Sequence, residues 1–136
     1  MLVALVLATL GAAGAEVEKR GQCVIAGKAR FTVLTPTLLR LEYSPEGKFE
    51  DRPSVLVVSR KFPPAPFEVE RAGGWVRVST PNIVLEYKVG SGPFNDRNLR
   101  IRYLVGGRFE EWRPGMPDPL NLGGTRTSLD GIGEHN

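Results

Sequence analysis

The chain is poor in the residues that most chemistry needs. It has one cysteine, Cys23, and one histidine, His135, in 136 residues. A single cysteine excludes an internal disulfide and a cysteine-based metal site. A single histidine beside the carboxy end excludes a serine–histidine triad and a zinc site built from several His or Cys ligands. Gly90-Ser91-Gly92 and Gly123-Gly124-Thr125 lack the further glycines and the lysine of a phosphate-cradling loop. Charge of one sign is also scarce: 18 Lys and Arg face 15 Asp and Glu, a net charge of +3. The densest basic stretch, Arg97, Arg100, Arg102, Arg108 and Arg113, is interrupted by Asp96, Glu110 and Glu111. Nucleic-acid binding requires basic charge gathered on one face, so a mixed-charge strand face is the better reading.

A helical hydrophobic period is missing as well. In its place stand 16 glycines and 11 prolines, scattered without period, and short runs in which apolar and polar residues alternate. Period-two alternation is the mark of a strand, and Gly and Pro punctuate strands. Strands are expected over 30–34, 38–43, 54–59, 67–71, 75–79, 83–89, 99–103 and 108–112. Ala72-Gly73-Gly74 and Gly106-Gly107 read as hairpin turns. Thr35-Pro36-Thr37 and Thr80-Pro81-Asn82 read as further turns. The fold expected is an all-β antiparallel β-sandwich, with inner faces filled by Phe31, Val33, Leu39, Leu41, Val76, Val78, Ile83, Leu85, Leu99 and Ile101. Trp75 and Tyr87 occupy strand positions where packing in the core is expected. From Pro114 onward no strand period remains, which implies an extended coil lying against some surface.

The opening run Met1 to Leu10 is apolar throughout, and Ala13-Gly14-Ala15 supplies the small residues that precede cleavage. Residues 1–15 therefore read as a signal peptide, too short to span a bilayer comfortably, and the mature protein as secreted or periplasmic and free of the membrane. Residues 16–28 read as a lead-in, and 29–136 as the sandwich domain.

Paired carboxylates are the remaining route to catalysis, since glycosidases use two of them. Asp96, Asp118 and Asp130 lie in loop contexts, but turn positions and flanking prolines favour backbone-capping roles for them. Trp112, at the start of the coil, is the aromatic best placed to be exposed or to meet a partner.

Several stretches are more particular than an ordinary sandwich requires. They are Ser79-Thr80-Pro81-Asn82, Gly92-Pro93-Phe94 before Asn98-Leu99-Arg100-Ile101, and Glu111-Trp112-Arg113-Pro114-Gly115. Asn121-Leu122-Gly123-Gly124-Thr125 and Leu129-Asp130-Gly131 complete the set. Together they resemble the amino-terminal β-domain of family 31 glycoside hydrolases, over about residues 29 to 131. The resemblance implies a galactose-mutarotase-like sandwich beside a catalytic TIM barrel of the same polypeptide. In an α-glucosidase- or α-xylosidase-like enzyme such a domain supports the barrel and shapes its carbohydrate pocket. The barrel carries the catalytic aspartates, and no segment of this chain matches their motifs, so no catalytic residue is assigned and neither cofactor nor metal is expected. Trp112, Asn121, Gly123, Gly124, Thr125 and Asp130 become candidates for barrel docking or the pocket wall. Glycines let a backbone pass close to a neighbouring surface, which suits Gly123 and Gly124 to that role. The alternative is a free-standing carbohydrate-binding sandwich that holds sugar through Trp112.

Overall fold

A computed structural model describes residues 15–51 and 63–118. Within them lie nine strands and no helix. They are β1 (Val17–Arg20), β2 (Cys23–Ala26), β3 (Ala29–Thr35), β4 (Leu38–Tyr43), β5 (Glu68–Ala72), β6 (Trp75–Ser79), β7 (Ile83–Lys88), β8 (Leu99–Val105) and β9 (Arg108–Trp112). They form two antiparallel meanders, β1-β2-β3-β4 and β5-β6-β7-β8-β9. The inner faces of the two sheets pack together as an antiparallel β-sandwich.

The sheet begins earlier than its hydrophobic alternation suggests. Residues 16–28, read above as a lead-in, supply β1 and β2, and β2 pairs with β3 over its whole length. The strand expected over 54–59, the leader over 1–14 and the coil from 119 onward fall outside the described residues.

Turn chemistry sets the registers. Gly73 and Gly74 have φ of 58° and 80°, and Gly106 and Gly107 have 56° and 78°. Two consecutive positive φ values define the two-residue turn whose twist matches that of paired strands, and glycine adopts them without strain. A bulge between Val33 and Thr35 offsets β3 against β4, so that Val33 opposes Leu39 while Thr35 opposes Leu38.

The core draws on both sheets: Val24, Phe31 and Val33 from one, and Val76, Val78, Leu85, Tyr87 and Leu99 from the other, each at most 2% exposed. Around Phe31 an aromatic cluster seals one end of the sandwich. Its ring centroid lies 5.6 Å from that of Tyr87 and 5.9 Å from that of Phe94, and Phe94 also meets Tyr43 at 6.1 Å. Tilted and edge-on contacts at such distances add to the hydrophobic gain of burial. The loop that carries Phe94 is held by its own side chains. Tyr87 donates its hydroxyl to the Gly92 carbonyl at 2.7 Å, Asn98 Nδ2 donates to the Pro93 carbonyl at 2.8 Å, and Asn98 Oδ1 accepts from the Asn95 amide at 2.7 Å. Burial pushes the Tyr87 phenol above its ordinary pKa.

Candidate functional site

The two long edges of the sandwich are finished differently. Beside β1, Lys19 reaches across to Phe67, with Nζ 4.0 Å from the ring centroid and 3.4 Å from the Phe67 carbonyl. Gln22 Nε2 donates to the carbonyls of Val33 at 3.3 Å and Ala65 at 3.0 Å, which fastens the chain between the sheets. These contacts bridge the sheets on that side, next to a hollow of about 510 Å³ lined by Pro66, Phe67, Glu68, Ser79, Thr80 and Pro81. Beside β4 and β8–β9 a cleft of about 440 Å³ lies between the sheets.

Strand alternation explains what lines this cleft. Leu39 and Leu41 on β4 share a face with Tyr43, while Ile101 and Tyr103 on β8 share a face with Leu99, and in each case that face points inward. Trp112 pairs with Ile101 and therefore also faces inward. Leu38, Leu39, Leu41, Ile83, Ile101 and Trp112 supply most of the lining, and Thr37, Asn82 and Tyr103 supply its polar groups. Trp112 is 42% exposed and Leu38 46%. Val105 and Met116 are exposed as well. Single exposed apolar residues are ordinary, whereas a contiguous group marks an interaction surface.

One residue ties the mouth of the cleft together. Thr80 Oγ1 accepts from the Ile83 amide at 2.9 Å and donates to the Pro36 carbonyl at 2.6 Å. This bond joins the β6–β7 turn to the β3–β4 turn across the sandwich, and Thr80 is buried. The sequence marks the spot only as a Thr-Pro-Asn turn; its link to residue 36 is a tertiary fact that local pattern does not reveal.

The outer face of the five-stranded sheet carries an ionic stripe. Glu70, Arg77, Glu86 and Arg100 lie directly opposite one another across β5, β6, β7 and β8. Glu86 is the buried member, its side chain 9% exposed, with Arg77 Nη2 at 2.8 Å and Arg100 Nη2 at 2.6 Å. Burial alone would raise the Glu86 pKa, but hydrogen bonds and charge from Arg77 and Arg100 outweigh it and hold the carboxyl below the usual range. Two cations and two anions leave the stripe neutral. On the outer face of the other sheet Arg30 is bracketed by Glu42 at 2.7 Å and Asp51 at 2.7 Å.

Trp75 is not in the core. Val76 and Val78 take the inner positions of β6, so Trp75 stands on the outer face opposite Lys88, where it lines a trough with Arg77, Glu86 and Arg100. Tyr87 is buried at 1% exposure. Asp96 does not cap its loop through its side chain. The caps come from Asn95 and Asn98, and Asp96 contributes its carbonyl to Arg113 at 3.3 Å. Asp118 is exposed. Cys23 is a half-buried free thiol whose Sγ lies 3.4 Å from Thr32 Oγ1.

Of the six candidates for docking or the pocket wall, Trp112 is found in the cleft. Asn121, Gly123, Gly124, Thr125 and Asp130 lie outside the described residues. Leu39, Leu41 and Ile101 were legible only as core residues; that they line a cleft is a tertiary fact. Among the described residues no group of three or more His, Cys, Asp or Glu side chains is placed to hold a metal ion. No helix among them is long and apolar enough to cross a membrane. No protein-family model matches the chain, and no curated protein matches it either.

Proposed function

We propose that the chain is a non-catalytic docking domain, the amino-terminal sandwich of a secreted α-glycosidase, which supports a catalytic barrel of the same polypeptide and helps shape its carbohydrate pocket. The observation that carries this reading is the apolar cleft at β4 and β8–β9. It opens at Trp112, where the stretch that most resembles family 31 glycoside hydrolases begins. Covering Trp112, Leu38 and their neighbours with a partner would stabilise the assembly at roughly 25 cal/mol per Å² of apolar surface removed from water. The segment around Asn121, Gly123, Gly124, Thr125 and Asp130 would continue the same contact along the barrel, and hydrolysis would rest on barrel residues.

A saccharide held by Trp112 is the competing use of this cleft. Sugar sites need polar groups converging on the hydroxyls beside the aromatic platform. Thr37, Asn82 and Tyr103 are the polar groups of a lining otherwise made of leucines, isoleucines and Trp112, and that apolar majority suits a protein surface better than a sugar. The test is the coding DNA beyond the Asn136 codon. An in-frame barrel with two catalytic aspartates is the expected result. A stop codon there, together with sugar binding that Trp112→Ala abolishes, would establish the competing reading.

A further inference from the structure

The outer edge of β9 has no neighbour among the described strands, and all five of its residues are exposed. Phe109 is 52% exposed and Leu104, its cross-strand partner on β8, is 38% exposed, so an apolar pair lies beside that edge on the outer face. A free edge of this kind is a template for another strand unless charge or cover prevents it. Charge is the usual protection, and it protects only where an edge's charges repel a second copy rather than attract one.

In an antiparallel pairing of two identical strands, residues directly opposite share a face, so a register centred on one residue sets its two flanking residues against each other. Centred on Glu70, β5 brings two glutamates together; centred on Val69, it sets Glu68 against Glu70. On β1, centring on Lys19 opposes two lysines, and Glu18 is engaged with Arg20 at 2.6 Å. On β4, Arg40 and Glu42 would be complementary, but they already pair with each other at 2.6 Å, and Arg30 holds Glu42 as well. β9 differs. Centred on Phe109, it opposes Arg108 to Glu110 twice and sets the two phenylalanines face to face. Neither Arg108 nor Glu110 forms an ion pair with a described residue.

We infer that β9 is a self-association edge: two copies of the chain pair antiparallel about Phe109, joining their five-stranded sheets through two Arg108–Glu110 ion pairs. The paired residues run from 107 to 111, so Trp112 and the cleft stay outside the contact. The inference is thus independent of the docking reading. One short strand pairing buries less than the roughly 1,200 Å² of stable complexes. The dimer is therefore weak, with a dissociation constant on the order of 100 μM.

Sedimentation equilibrium on the whole chain, from about 10 μM to about 1 mM to bracket that constant, tests this with three variants. The wild type is expected to rise toward twice the chain mass. Arg108→Glu and Glu110→Arg each place like charges opposite one another and are expected to weaken association at least tenfold. The double variant Arg108→Glu/Glu110→Arg restores opposite charges and is expected to recover association. All four side-chain changes are at exposed positions, and circular dichroism checks that the fold is retained. A wild type that stays monomeric throughout overturns the inference. So does association that ignores the single reversals, or a double variant that fails to recover.

Discussion

One strand, β8, passes from a sealed region to an open one within seven residues. At its start Leu99 is 2% exposed, packed beside Tyr87 in the core that Phe31 and Phe94 close off; at its end Val105 is 52% exposed. β4 runs the opposite way, from Leu38 at 46% exposure to Tyr43 against Phe94. Both strands are apolar on their inner face along most of their length, so hydrophobicity is not what distinguishes the two ends. At the sealed end the Phe94 loop folds over the sandwich and is held by Tyr87 and Asn98. At the other end, the Thr80 bond to the Pro36 carbonyl spans the sheets beside the cleft. Among the described residues no loop covers that apolar end, which suits the proposal that another domain covers it.

The comparison can be broken most forcefully at the sealed end. Phe31→Ala removes a fully buried ring from the aromatic cluster and is expected to cost about 3–5 kcal/mol, read from the urea midpoint. A loss below about 1 kcal/mol would mean that the two ends are equally slack. Glu86→Gln leaves Arg77 and Arg100 without their shared anion. Because both arginines are partly exposed, the expected cost is about 1–2 kcal/mol rather than the larger value of a fully buried pair. Glu86 also makes stability depend on pH. Its lowered folded pKa contributes stability that is complete above the ordinary glutamate value of about 4.3 and is lost as pH falls through the folded value. Denaturation curves between neutral and acid pH should show that loss in the wild type and a smaller one in Glu86→Gln.

Thr80→Val tests the tie at the open end. It removes the acceptor for the Ile83 amide and the donor to the Pro36 carbonyl, for an expected cost of about 1–2 kcal/mol. Hydrogen exchange should quicken at the amide of Ile83. Trp112→Ala, at the mouth of the cleft, is expected to change the stability of the isolated chain by less than about 0.5 kcal/mol. A cost above about 2 kcal/mol would make Trp112 a core residue and remove the argument for an interface.

What the sequence disclosed follows the same division. Alternation and Gly-Gly turns located seven of the nine strands and placed Phe31, Val33, Val76, Val78, Leu85 and Leu99 inside, because inner-face alternation is a local signal. β1 and β2 were harder to see: Val17-Glu18-Lys19-Arg20 lacks alternation, and its strand character comes from pairing with β2. A strand position suggests the core for Trp75, yet its parity with Val76 and Val78 sends it outward. The cleft was not legible, since Leu39, Leu41 and Ile101 have the same pattern as fully buried residues. Their partial burial beside the cleft is set by tertiary packing, not by local pattern. Trp112 was legible as an exposed aromatic, but not its pairing with Ile101 or its inward aim.

The most direct test of the central claim is hydroxyl-radical footprinting of Trp112, Leu38 and Met116 in two proteins: the 136-residue chain and the product of its whole reading frame. The account predicts ready oxidation of all three in the chain alone and protection in the whole product. Equal oxidation in the two, or a reading frame that ends at Asn136, would contradict it.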